Sequence, residues 1–340
     1  MRFVSFLNQD NHERLGLLVD ENVFDLSSGG HTLGLDLPET MARFLESGEV
    51  AMDMARKVDE AARSGKLEPS SPRESLTLLS PVPRPTSCRD AYAFRQHVAT
   101  ARRNRGVDMI PEFDQYPVFY FTNHNAVFGE GDIHLETDHF QKLDFELECA
   151  VVIGRPGKNI LAEKADDHIA GYMIMNDLSA RVLQMEEMKL NLGPAKGKDF
   201  ASSFGPFMVT VDELTPHRIA GSNGDRYDLR MTARHNGKPI SDGNLKDMNW
   251  TFAEIIERAS YGVQLHPGDV IGSGTVGTGC YLELNGTHAL VAKEKGEDFT
   301  PVWLQDGDSI ELEITGLGRL TNRLLRAPGN NSILARKKNV

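Results

Sequence analysis

The chain has 340 residues, 40% of them hydrophobic and 25% charged, and a formal net charge of −12. That balance suits one large globular domain or two of ordinary size. The acidic surplus, with no basic stripe, argues against nucleic acid or an anionic membrane as the main partner.

No stretch approaches the roughly 18 consecutive apolar residues of a membrane span. The opening MRFVSFLNQDNHERLG is too short and interrupted in its apolar part for a secretory signal. Cys88, Cys149 and Cys280 lie too far apart for a CxxC zinc site or a disulfide framework. A reduced, cytoplasmic setting is the expectation.

In chain order, RFVSFL at 2–7 and GLLVDENVFD at 16–25 alternate apolar with polar residues and read as a hairpin. The stretch 38–63 has a helical pattern, with Pro38 suited to a first turn and Ser47–Gly48 breaking it in two. A segment with five prolines, GKLEPSSPRESLTLLSPVPRP, then reads as a linker. The expected division is a small N-terminal unit at 1–75 and a main domain at 76–335.

The remainder is strand-rich, with extended segments expected at 117–121, 145–153, 170–176, 206–211, 228–235, 269–273, 280–284 and 309–315. Helices are expected near 90–104, 163–168, 178–190 and 250–260. Few regular strand–helix alternations occur, so the expected class is α+β on mixed sheets.

Residues 143–154, LDFELECAVVIG, pose a problem of charge. In a continuous strand Asp144, Glu146 and Glu148 share one face. The apolar run that follows implies a strand covered on both sides, where acids need partners. Asp177 ends the apolar run AGYMIMND, and Asp90 precedes a helical pattern in SCRDAYAFRQH. Each also fits a helix N-cap. Together with Glu146 and Glu148 they offer an all-oxygen cage, which hard ions such as Mg²⁺, Ca²⁺ or Mn²⁺ prefer.

His97 follows Asp90 by seven residues, two turns along one face of a continuous helix, and its ordinary pKa suits a general base. Arg181 and Gln184 stand at i and i+3 on a helix face. Lys196 and Lys198 lie in GPAKGKDFASSFGP, which lacks P-loop glycine spacing. Lys198 there suits a carboxylate or enolate oxygen, or simply an exposed turn. Thr275 lies in a glycine-rich turn and Glu283 in an expected strand after it, and no dinucleotide fingerprint is present.

In order, DxYxxxxH (Asp90, Tyr92, His97), DxELE (Glu146, Glu148), MNDxSAR (Asp177, Arg181), GKxF (Lys198), NGKPISDGNLKDMNW and SGT…LEL (Thr275, Glu283) resemble the fumarylacetoacetate hydrolase family from about residue 80 to 317. The resemblance implies a mixed β-roll preceded by a small SH3-like β domain, and a homodimer. It implies one Mg²⁺ or Ca²⁺ on Asp90, Glu146, Glu148 and Asp177, with Asp144 outside the ligand set. It implies His97 and Glu283 as a water-activating dyad, Arg181, Gln184 and Lys198 around the reacting carbonyl, and Tyr92 and Thr275 as substrate contacts.

Arg102 is the candidate for the family's lid arginine, although Arg103 and Arg105 compete for that place. Met188 stands where the long fumarylacetoacetases carry tyrosine, and the Gly-Thr to Leu-Glu segment is shorter than in the animal-type enzymes.

The expected activity is hydrolysis of a C–C bond in a small 1,3-diketo acid, an acylpyruvate or fumarylacetoacetate-like compound of aromatic catabolism. A decarboxylase, hydratase or isomerase of the same superfamily would use the same four acids. A non-catalytic metal- or ligand-binding protein would leave the His, Lys and Arg matches without a purpose.

Overall fold

The computed structural model describes residues 1–338. Its architecture is α+β. Among the described residues a twelve-stranded mixed sheet and a five-stranded sheet carry it. The larger sheet runs from Asn22–Asp25 through Glu13–Val19, Arg2–Leu7, Ser202–Thr210, Ile169–Asp177, Leu147–Ile153, Asp269–Gly272 and Ser87–Ala91 to Phe119–Thr122 at its edge. The smaller comprises Lys238–Asn244, Arg230–His235, Ser309–Ile314, Gly318–Arg326 and Gly131–Leu135.

The expected N-terminal hairpin is a three-stranded meander. Its first strand pairs with Ser202–Thr210, so the N-terminal strands extend the main sheet. Helices Met41–Glu46 and Gly48–Arg63, separated at Ser47 as the Ser-Gly pair implied, pack on one face of that sheet.

Period-two alternation then divides the central strands between two cores. Cys149, Val151 and Ile153 join Tyr172 and Ile174 on one side, while Ala150 and Val152 join Met173, Met175 and the N-terminal helices on the other. Burial on both faces explains why Leu147–Ile153 reads as a nearly unbroken apolar run. Glu148, Asp90 and Asp177 continue the second set by parity, from Ala150, Cys88 and Met175 respectively. The strand directions bring all three to the same end of the sheet.

Three local expectations are corrected. Residues 87–91 form a strand and the helix begins at Arg95, so Asp90 is a strand residue and does not share a helix face with His97. Residues 280–284 are not extended: Glu283 lies in the first turn of helix Tyr281–Lys295. Five alternating residues fit either state, and here the segment is helical, with its first amides capped by a distant side chain. Finally, the strand expected over 145–153 begins only at Leu147. Leu143–Asp144 pairs with Ser179–Ala180, whereas Leu147–Ile153 pairs with Ile169–Asp177 and Asp269–Gly272. The break at Phe145 and Glu146 ends the simple alternation that put Asp144 on one face with Glu146 and Glu148.

Candidate active site and metal centre

Asp90, Glu146, Glu148 and Asp177 are all buried, and one oxygen from each lies within 4.8 Å of the others. Gly272, between the strands of Asp90 and Glu148, makes this approach possible. A Cβ there would stand 2.6 Å from Asp90 Oδ1 and 3.0 Å from Glu148 Oε2. Glu146 is held at the strand break by its amide, which donates to Asn176 Oδ1 at 3.1 Å.

Two cations face these acids. Lys198 Nζ donates to Asp177 Oδ2 at 2.7 Å and to Glu146 Oε2. Arg181 Nη2 donates to Glu146 Oε1 at 2.8 Å, and its Nη1 donates to Gln184 Oε1 at 2.9 Å. Glu187 catches the amides of Ala195, Lys196 and Gly197 at 2.9, 2.7 and 3.1 Å. This clamp closes the Gly/Lys loop onto the helix of Gln184 and points Lys198 inward, so Lys198 is a buried site residue and not part of an exposed turn. Lys196 instead pairs with Asp199 at the surface.

The electrostatics are those of a cation site. Burial and the neighbouring Asp177 push Asp90 up to about 7. Burial and Asp90 push Glu148 well above the carboxylate range. At Glu146 the upward push of burial is outweighed by Lys198 and Arg181, which bring it down to about 2. Asp177 is raised by burial despite Lys198, and its Oδ1 is a buried acceptor without a donor. Counting Asp144, five buried carboxylates face two buried cations. A hard divalent ion would supply the missing charge, and the all-oxygen donor set suits it. The residues fit the ion.

Beside the cluster, His97 Nδ1 lies 2.6 Å from Glu283 Oε2, both side chains buried. Glu283 is steadied by the Thr278 amide on Oε1 at 3.0 Å. The helices carrying the dyad touch closely: a Cβ on Gly286 would stand 2.6 Å from Asn104 Nδ2, which donates to the Glu283 carbonyl at 3.0 Å. Tyr92 meets the His97 ring edge-on at 6.0 Å, and Thr275 Oγ1 reaches Glu148 Oε1 at 3.4 Å. Arg102 donates to the Asp108 carbonyl just beyond its own helix and makes no contact with the cluster. Met188 lies four residues beyond Gln184 on the same helix and is exposed.

Sequence reasoning missed one member and left another without a role. Tyr120, opposite Asp90 in the edge-strand register, donates its hydroxyl to Asp177 Oδ2. In PVFYF it is one aromatic among apolar residues, and no spacing singles it out. Asp144, which the resemblance places outside the ligand set, is fully buried and binds Arg181 Nε at 2.8 Å.

Known proteins share this arrangement of sequence and fold. The chain is 30% identical over 329 residues to the oxaloacetate tautomerase YisK of Bacillus subtilis, covering 92% of this chain and 97% of that protein. It is 29% identical over 307 residues to human mitochondrial oxaloacetate tautomerase FAHD2A, covering 88% and 86%. Among solved structures, a fumarylacetoacetate hydrolase from Exiguobacterium antarcticum superposes with a TM-score of 0.66 at 25% identity, covering 96% of this chain and 100% of that one. Residues 86–325 match the family model described as Fumarylacetoacetate (FAA) hydrolase C-terminal. With its sheets, its acidic cluster and that match in agreement, the chain belongs to the fumarylacetoacetate hydrolase family.

Proposed function

We propose that this protein is a metal-dependent hydrolase that cleaves a C–C bond in a small 1,3-diketo acid, an acylpyruvate or fumarylacetoacetate-like compound. The observation that carries the reading is the His97–Glu283 pair at 2.6 Å beside the four-acid cluster. A divalent ion on Asp90, Glu146, Glu148 and Asp177 would supply Lewis-acid stabilisation of negative charge on the substrate oxygens.

The chain's own groups do the rest. Glu283 accepts from Nδ1–H of His97, leaving Nε2 free to take a proton from water. The resulting hydroxide adds to the distal carbonyl. Lys198, Arg181 and Gln184 are the donors near the charge that develops on that oxygen. As the C–C bond breaks, its electron pair goes to the departing carbon, and the His97 imidazolium returns the proton. One water is consumed and two acids are formed.

A second reading is favoured by the likeness to the tautomerase YisK across nearly its whole length. In it, His97 takes a proton from the carbon beside a 2-oxo group and delivers it to oxygen, leaving the carbon skeleton intact.

One assay separates the two. The protein is incubated with Mg²⁺ or Mn²⁺ and either a panel of acylpyruvates or the enol form of oxaloacetate, following enol absorbance and identifying products by chromatography. Hydrolysis yields two acids, tautomerisation one isomeric acid, and decarboxylation CO₂. Absence of paired acids from every diketo acid tested overturns the hydrolase reading.

A further inference from the structure

Helix Tyr281–Lys295 begins without a side-chain cap of its own, since its N-cap, Cys280, makes no such bond. The cap comes from Asp144, 137 residues away in sequence: Oδ1 accepts from the Tyr281 amide at 2.7 Å and Oδ2 from the Leu282 amide at 2.9 Å. A carboxylate there is favoured by both the free amides and the helix dipole. The next residue is Glu283. On its other side Asp144 Oδ2 holds Arg181, with Nη2 at 2.7 Å and Nε at 2.8 Å, and Arg181 in turn holds Glu146 and Gln184. One fully buried carboxylate thus joins the helix of the His97–Glu283 pair to the arginine arm of the acidic cluster.

We propose that Asp144 is a positioning residue that sets Glu283, and through it His97, at the working distance from the Arg181–Glu146 arm. Its kinetic consequence rests on the base proposed for His97, but its structural consequence does not. Asparagine at 144 keeps the shape and one acceptor oxygen, yet its NH₂ cannot accept from an arginine or an amide. The helix start would lose one of its anchors, and a displacement on the order of 1 Å can cost about a hundredfold in rate.

The test is Asp144→Asn, read three ways. The first reading is the far-downfield proton NMR resonance of the His97–Glu283 hydrogen bond in metal-free protein, assigned by its loss in Glu283→Gln. The second is Mg²⁺ affinity by calorimetry, and the third kcat and KM on the best substrate. Expected are loss or displacement of the resonance, a fall in kcat of about a hundredfold, KM within about threefold of the parent protein, and a fall in Mg²⁺ affinity smaller than the fall in kcat.

Arg181→Lys, which leaves both amide bonds to Asp144 in place, should keep the resonance. If Asp144→Asn does not fold, Asp144→Glu retains charge and acceptors on an arm one methylene longer; it should shift the resonance and lower kcat about tenfold. A folded 144 variant with an unmoved resonance overturns the proposal. Absence of any hydrolase activity in the parent protein would instead count against the proposed reaction, and the resonance would still decide the role of Asp144.

Discussion

Asp90 and Glu148 stand on strands that are not neighbours, yet the single amide of Gly274 donates to both, at 3.1 Å to each. Gly272 on the strand between them is the reason they can meet. In Gly272→Ala the new methyl group would occupy space between the two carboxylates and would stand 2.6 Å from Met175 Sδ, so the flexible Met175 side chain must yield. Mg²⁺ or Mn²⁺ affinity should fall by about 10–100-fold, the scale for disturbing the support of metal ligands. Calorimetric titration checks it, with circular dichroism confirming the fold. Affinity equal to that of the parent protein would contradict the cage.

The metal-free protein should lose stability as pH rises from about 4 to about 7. Asp90, ordinarily near 3.8, is raised to about 7 by burial and Asp177, so over that window the folded state holds a proton the unfolded chain has released. Stability falls with pH wherever the native state binds more protons. Glu146 acts in the opposite sense at lower pH: its pKa is lowered from 4.5 to about 2, and the stability it contributes is lost only as pH falls through that range. Thermal melts of metal-stripped protein at about pH 5 and about pH 8 read the first window. Divalent ion at 100 times its Kd should add about 2.7 kcal/mol and flatten the decline by replacing the proton. A melting temperature that rises with pH in the stripped protein would refute the assignment.

His97→Ala should lower kcat by roughly 10²–10⁴-fold, the usual contribution of a general base. Glu283→Gln should lower it less, because the imidazole remains but loses the carboxylate that orients it. Neither side chain belongs to the four-acid set, so Mg²⁺ affinity should hold in both variants. Steady-state kinetics beside calorimetry makes the comparison. Full activity in His97→Ala would remove it from the mechanism.

Tyr120→Phe takes away one of the two donors on Asp177 Oδ2 and leaves Lys198 as the other. Hydrogen bonds to charged groups contribute about 1.5–3 kcal/mol, and the loss should appear as roughly tenfold weaker Mg²⁺ binding. The global melting temperature should fall as well, since the bond is present only in the folded state. Unchanged metal affinity would reduce Tyr120 to a packing residue.

Much of the site was legible before the fold. A carboxylate pair in a strand apolar on both faces is costly without a cation, which is why Glu146 and Glu148 stood out. Arg181 and Gln184 were paired correctly because helical spacing is a local property, and the structure gives them a 2.9 Å contact. Asp90 and Glu283 were singled out but placed in the wrong elements, because five or six alternating residues do not distinguish a strand from the first turn of a helix. The start of helix Tyr281–Lys295 is capped by Asp144, which no window around residue 281 contains.

By itself, then, the amino-acid sequence determined the composition class, the apolar periodicity of the central strands, the oxygen-rich donor set and the order of the family's motifs. Each is carried by residue type and short-range spacing. Only the tertiary structure decided that Asp90 and Glu148 meet across Gly272, that Lys198 turns inward, that Tyr120 reaches Asp177 and that Asp144 caps a distant helix. Those contacts, with the Gly274 amide on Asp90, join segments up to 184 residues apart. They exist because sheet order and register bring strand ends together, and no local pattern encodes which ends those are.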